Sequence, residues 1–201
     1  MDEKNRAYAE KMIQGDEPAF DELYRSYSGK LYRMAYVITG NKSDSEDVLQ
    51  ETFVKCYLHR QELKDASRFE SWLYRILVRT AWKAARGRRE LSLESILEDP
   101  DQGKQAMQIS RDQSAGPLER FIDRETSGEL LSLVGKLDVK YRTVVVLHYY
   151  NELSTRDIAR ITGTLEGTVK SRLYKARKLL RKQLEGKAEA ERGMRYEEKL
   201  G

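Results

Sequence analysis

Apolar residues recur along most of the chain at spacings of three and four, the period of helices that bury one stripe and leave the rest to solvent. Tyr8, Met12 and Ile13 supply the apolar side of a short first helix within residues 1–14, ended by Gly15. Asp16 caps the next helix and Pro18 fits its first turn, where a missing N–H costs nothing; Phe20, Leu23, Tyr24, Tyr27, Leu31, Met34, Ala35 and Ile38 then follow up to Gly40 and Asn41. Ser43 with Glu46 predicts a capping box for a third helix, whose buried side is Val48, Leu49, Thr52, Phe53, Cys56 and Tyr57. After a polar loop from Gln61 to Ala66, Ser67 with Glu70 predicts a second box, and Phe69, Trp72, Leu73, Ile76 and Thr80 line one side of the helix that follows. Between Glu90 and Gly116 the periodicity stops, and Pro100, Gly103, Gly116 and Pro117 stand among Ser, Asp and Gln, as in a linker. Helical pattern resumes at Leu118 and Phe121 and runs through Leu130, Leu131 and Val134.

The C-terminal part has a more specific layout. Tyr141, Val144, Val145 and His148 keep helical spacing until Asn151 and Glu152 break it. Ser154 is the expected N-cap of LSTRDIARITG, with Asp157 in its first turn, and Gly163 is the expected stop. Thr164 is the expected cap of a last helix with Leu165, Val169, Leu173, Ala176 and Leu180 as its apolar stripe. The remaining surface is nearly all donors: Thr168, Ser171, Lys175, Lys178 and Lys182 opposite the stripe, Lys170, Arg172, Arg177 and Arg181 beside it. A basic helix alone reads as a solvated face. Two helices joined by a glycine turn, the second one-sidedly basic, read as a helix-turn-helix whose last helix enters a major groove. Residues 186–201 hold many charges and little to bury, and are expected to form a mobile tail.

Charge changes the picture in the first half too. Of 201 residues 35% are charged, yet the net charge is +4, so acids and bases must be segregated onto separate surfaces. Asp44, Asp47, Gln50 and Glu51 make an acidic and amide patch on the third helix, suited to a basic protein surface and repellent to DNA. Arg75, Arg79, Lys83 and Arg86 recur in a stripe along the fourth helix, extended by Arg88 and Arg89, and could track phosphates. Tyr24, Tyr27, Tyr32 and Tyr36 are read as packing residues rather than stacking groups for bases, and Trp82 as core rather than an intercalating wedge. One cysteine, Cys56, excludes an internal disulfide and a cysteine-cluster metal site. His59 and His148 are too isolated to suggest zinc. The longest run of large aliphatics, Val144 to Leu147, is far below the ~20 residues of a membrane span, and the N-terminal stretch is too polar for a signal peptide.

TLEGTVKSRLYKARKLLRKQL resembles the promoter-reading helix of the extracytoplasmic-function (ECF) sigma factors of bacterial RNA polymerase, in the sigma-70 family. EDVLQETF resembles the segment by which those proteins grip the clamp helices of the polymerase's largest subunit, and FESWLYRILVRTAWKAARGRR the part that binds the melted upstream promoter element. The resemblance implies an all-α chain: a sigma-two-like domain over 1–89, a flexible linker over 90–117, a sigma-four-like helix-turn-helix domain over 118–185 and the tail. It implies that Thr164, Gly167, Thr168, Lys170, Ser171, Arg172, Lys175, Arg177 and Lys178 meet duplex DNA. Lys64, Ser67, Arg68, Arg75, Arg79, Lys83 and Arg86 would meet the melted element, with the loop Leu63 to Arg68 holding an extruded base. Asp44, Asp47, Gln50 and Glu51 would meet polymerase. Many family members carry asparagine and aspartate where Arg79 and Lys83 stand, so neither inherits a base contact. The expected partners are core RNA polymerase, promoter DNA and an anti-sigma factor, in the cytoplasm, with no cofactor, no metal and no catalysis. The competing reading is a stand-alone helix-turn-helix regulator.

Overall fold

The computed structural model describes residues 1–98 and 128–197, with side chains over 1–87 and 131–186. Most of the stretch read as a linker, the resumed pattern at Leu118 and Phe121, and residues 198–201 lie outside the described residues. The described chain is helical throughout, as expected of an all-α fold: α1 (Glu3–Ile13), α2 (Glu17–Thr39), α3 (Lys42–Leu58), α4 (Phe69–Glu98), α5 (Gly128–Gly135), α6 (Val139–Val145), α7 (Thr155–Thr162) and α8 (Glu166–Glu197). No described helix is long and apolar enough to cross a membrane. Helix α4 continues beyond 89 into the expected linker, and α8 beyond 185 into the expected tail, so the backbone of both stretches is helical where it is described.

Local chemistry sets most of the boundaries. Asp16 accepts from the Ala19 amide at 2.8 Å, and α2 stops at Gly40, whose φ of 84° a side chain would strain. Two caps differ from expectation. Helix α3 is capped by Asn41, whose side chain accepts from the Asp44 amide at 2.9 Å and donates to the Asp44 carboxylate at 2.6 Å. Asn41 has the extended backbone a cap requires, so the helix starts before Ser43, and no Ser43–Glu46 box forms. Before α4, Asp65 accepts from both the amide and the hydroxyl of Ser67, at 2.9 and 2.6 Å, and winds Ala66–Arg68 into a 3₁₀ turn. Glu70 turns away from any box towards Tyr74 Oη at 2.5 Å and Lys30 Nζ at 3.3 Å.

The halves of the chain share one core. Leu23, Leu31, Met34 and Ile38 of α2, Val48, Phe53 and Cys56 of α3, and Phe69, Leu73, Leu77 and Val78 of α4 form a cluster that continues into Val144, Leu147, Ile158, Ile161, Val169 and Leu173. Tyr27 and Tyr32 are buried in or beside it, in agreement with the packing reading, whereas Tyr24 stays partly exposed against Phe53. Helix α4 packs against α7, and α2 against α6. Trp82 Nε1 donates to Thr143 Oγ1 at 2.9 Å, and Arg33 donates to the Tyr150 hydroxyl with its guanidinium 5.6 Å from the ring centre. Arg142 lies so close to Gly40 that a Cβ there would sit 2.9 Å from its Nη1, a second reason for glycine. Tyr150 closes a π-turn, Val146–Tyr150, sealed by Asn151, whose amide and side chain both donate to Val146 O, at 3.1 and 3.0 Å.

Cys56 tests the density of this core. Burial pushes its thiol up to about 12, and its Sγ sits 3.9 Å from Met12 Sδ. The native chain is expected to react with iodoacetamide only as fast as it opens, and the denatured chain at the rate of a free thiol. Because the folded value is the raised one, this thiol stabilises the fold below its ordinary value of 9.0, and the contribution fades as pH rises towards about 12. Cys56→Ala should therefore lose denaturation midpoint less steeply over that alkaline range; alkylation of the native chain at the denatured rate would contradict the packing.

Candidate nucleic-acid interface

Helices α7 and α8 are set by their caps. Ser154 Oγ accepts from the Asp157 amide at 3.1 Å and donates to its carboxylate at 2.6 Å, as the spacing predicts. Gly163, at φ 65°, ends α7 and turns the chain towards α8. Ile158, Ala159 and Ile161 share one buried cluster with Val169 and Leu173, which fixes the two helices as a helix-turn-helix unit, while Ala176 packs with Leu137 and Tyr141. Thr164 is not the cap of α8. The helix starts at Glu166, and the Thr164 hydroxyl lies 2.9 Å from that of Thr162. Leu165, expected in the apolar stripe, is 80% exposed, because the turn places it before the first helical residue.

The donors fall as a one-sided surface. Gly167, Lys170, Ser171, Lys175, Arg177 and Lys178 are exposed and Thr168 is half-buried. Ser171 donates its hydroxyl to Thr168 O at 2.9 Å, which leaves its lone pairs for a ligand. Arg172 is half-buried, with Nη1 enclosed and without a hydrogen-bond partner among the described residues, so its fork is aimed less freely than those of its neighbours. Glu166, in the first turn of α8, accepts from Lys170 Nζ at 2.9 Å and Thr155 Oγ1 at 2.8 Å. Those bonds, Lys170 foremost, hold its carboxyl below the usual range, so it stays ionised and tied down.

A second basic surface lies on α4. Arg79, Lys83 and Arg86 are exposed along it, and no described acid pairs with them; Arg75 is half-buried, with Nε enclosed and without a hydrogen-bond partner among the described residues. The side chains of Arg88 and Arg89 lie outside the described residues. In the loop before α4, Lys64, Ser67 and Arg68 are exposed, but Leu63 and Ala66 point into the core and Arg68 Nε meets Asp65 at 3.3 Å. Trp82 is half-buried and packed against the core cluster, and with Arg79, Lys83, Arg86 and Gly87 it lines an open cleft.

The acidic surface sits on α3. Asp47 and Gln50 are exposed, whereas Asp44 is engaged by the Asn41 cap, and Glu51 pairs with Lys55 at 2.7 Å.

Two sequence families match this layout: "Sigma-70 region 2" over residues 23–90 and "Sigma-70, region 4" over residues 127–180. The chain is 33% identical over 171 residues to the ECF RNA polymerase sigma factor SigW of Bacillus subtilis, covering 85% of this chain and 91% of that one. It belongs to the ECF sigma factors of bacterial RNA polymerase. The solved structure of CnrH in complex with the cytosolic domain of CnrY is similar, with a TM-score of 0.64 at 25% identity over 92% of this chain and 99% of that one. The sigma factor RpoE of Bartonella quintana, solved with the anti-sigma factor NepR, shares the fold, with a TM-score of 0.61 at 21% identity over 83% of this chain and 96% of that one. As an ECF sigma factor the chain acts with core RNA polymerase on promoter DNA; nothing in the comparisons supports a stand-alone regulator.

Sequence reasoning missed three exposed apolar side chains on these surfaces of the sigma factor. Tyr174, 66% exposed, stands one turn from Lys170 and one from Lys178, on the donor face of α8. Val54 and Leu58, 56% and 67% exposed, extend the line of Asp47, Gln50 and Glu51 along α3. Their signal was available, since Tyr174 and Val54 repeat at three or four from residues already assigned to the exposed face, and Leu58 follows Val54 at four.

The tie between Glu166 and Lys170 makes a prediction for this sigma factor. Glu166→Gln should free the Lys170 charge for a phosphate, tighten binding of the polymerase complex to selected upstream duplexes several-fold at low salt, and steepen the salt dependence by about 0.9 log units per log salt. An unchanged slope would mean that Glu166 does not restrain Lys170.

Proposed function

We propose that this sigma factor divides its work among three surfaces, and the observation that carries the proposal is the one-sided, donor-rich face of α8 beside a tied-down acid. The first turns of α8 (Gly167, Thr168, Lys170 and Ser171, joined by Tyr174) read base edges of a duplex upstream element, because recognition helices read with their N-terminal residues. Lys175, Arg177 and Lys178, farther along, position the helix against phosphates. Thr164 supports the turn, and Arg172 acts from the flank of the stripe. Arg75, Arg79, Lys83 and Arg86 of α4, with Lys64, Ser67 and Arg68 of the loop before it, hold the melted element. On α3, Asp47, Gln50 and Glu51 with Val54 and Leu58 dock on polymerase, the acids giving orientation and the apolar pair giving contact area; Asp44 serves the helix cap.

In this reading 1–89 is the polymerase- and melted-strand-binding domain, 90–117 the linker, 118–185 the duplex-reading domain and 186–201 the tail. The chain works in the cytoplasm, needs no cofactor and contributes no chemistry, which belongs to polymerase. Bartonella quintana RpoE, similar in fold, is bound by an anti-sigma factor, and this supports such a partner here.

The testing experiment is a gel shift on promoter fragments with and without core polymerase: a specific shift is expected only with polymerase, and a polymerase-independent specific shift would overturn the division of surfaces. The docking surface has its own test. Asp47→Lys with Val54→Asp should lower polymerase affinity at least tenfold with unchanged helical content by circular dichroism, as both side chains are exposed. Retained affinity in the folded variant would remove α3 from the docking surface.

A further inference from the structure

Leu165 stands at the lip of α8. Its carbonyl accepts from the Val169 amide at 3.1 Å, which makes it the N-cap position of that helix. Serine, threonine, aspartate or asparagine there would accept from an amide of the first turn, whereas a leucine side chain has no acceptor to offer. It is also 80% exposed, so it gains little from burial. A lone exposed leucine is ordinary on a protein surface. One that forgoes a cap as well takes a place where the fold would be better served by a polar residue.

The backbone on both sides of it is pinned. The Thr164 amide donates to Ala159 O at 3.0 Å, and Glu166 accepts from Thr155 Oγ1 at 2.8 Å, so the side chain is presented from a fixed position. Gly167, two residues on, has open space where a side chain would stand, which lets a base edge come close beside the leucine. Position then specifies the partner. Recognition helices meet base edges with their N-terminal residues, and the major groove offers an apolar side chain one matching group, the 5-methyl of thymine. Lys170 and Ser171 can bond phosphates and base acceptors but cannot cover a methyl group; a leucine can do nothing else there. A protein partner would need a wider apolar area than one leucine flanked by Glu166, Gly167 and Lys170.

We propose that Leu165 is a specificity-determining residue that covers the 5-methyl group of one thymine in the upstream duplex. The proposal rests on the reading that α8 lies in the major groove with its first turns foremost, and it adds an apolar contact to the polar residues named there. The cap that α8 forgoes is exchanged for base selection.

The test uses the full chain with core polymerase. Upstream duplexes selected from a randomised pool by the wild-type complex should hold a thymine at one fixed position, on either strand. Replacing that thymine by uracil, which removes only the methyl group, should weaken binding about three- to fivefold, the size expected for burying one methyl. With Leu165→Ala the same replacement should cost less than about twofold, and Leu165→Met, which keeps a long apolar side chain, should discriminate as wild type does. Leu165→Ser should move stability and specificity in opposite directions: it supplies a cap and raises the unfolding midpoint, yet it loses the discrimination. All variants are checked by circular dichroism. Equal uracil effects in wild type and folded Leu165→Ala overturn the proposal, as does a selected pool with no fixed thymine. So does a lowered unfolding midpoint in Leu165→Ser, which would show that the leucine serves the fold. Uniform weakening of every duplex by Leu165→Ala, with no uracil effect in wild type, would assign the side chain to the sugar-phosphate backbone and overturn the proposal too. A wild-type complex that selects no upstream sequence at all would instead overturn the reading of α8 on which the proposal rests.

Discussion

The division of α4's circumference is the constraint on which the rest of the molecule depends. Phe69, Leu73, Leu77 and Val78 fill one side and leave no solvent at all at these positions, so the helix cannot rotate without opening the core. With that side fixed, Trp82 must face the C-terminal half and Arg79, Lys83 and Arg86 must face solvent. A helix of 3.6 residues per turn offers enough angular room for three such sectors, and α4 uses all of them. Its placement therefore holds the N-terminal helices together, supplies a polar tie to Thr143 and lays out a line of cations in the same act.

Charge is managed by the same economy of faces. The acids near the basic surfaces of α4 and α8 are already occupied: Glu166 by Lys170 and Thr155, Asp65 by Ser67 and Arg68, Glu70 by Tyr74 and Lys30. Burial would push Glu70 up, but the Tyr74 hydroxyl and Lys30 outweigh it and hold its carboxyl below the usual range. Acids held this way add little repulsion to an approaching phosphate backbone, while most of the arginines and lysines on α4 and α8 keep their donors. On α3 the arrangement inverts, since Asp47 stays exposed beside Val54 and Leu58. A surface of acid next to bare hydrophobe suits a protein partner, because a DNA backbone offers no cation to pair and its phosphates repel the acid.

The contact between the halves is more polar than the core it continues. Burial pulls the Arg142 guanidinium down despite Asp138 nearby, and its Nε is enclosed without a hydrogen-bond partner among the described residues. Thr143, whose hydroxyl takes the Trp82 Nε1–H, is buried at the same boundary. Polar groups gain less from burial than the leucines of α2 and α4 do, so this boundary contributes less per unit area than the interior of either half.

Much of this was legible in the residues. The helical period gave every described helix its buried stripe, Ser154, Asp16, Gly40 and Gly163 marked their ends, and the motifs of α3, α4 and α8 carried the family, because spacing and capping are local chemistry that a string of letters contains. Tertiary structure decided the rest. Asn41 rather than Ser43 caps α3 and Glu70 turns to Tyr74 and Lys30, since a cap is a competition among nearby donors and acceptors that only coordinates resolve. Leu165 stands out of the stripe because one turn residue shifts the start of α8, and Arg172 sinks into the flank through packing that its charge does not announce. Trp82 is the clearest case: its large apolar ring reads as core in sequence and does pack on the core, but its Nε1–H bond to Thr143, sixty-one positions away, is visible only in the folded chain. Contacts between residues so distant along the chain depend on how whole helices pack, and the period of any one helix carries no record of them.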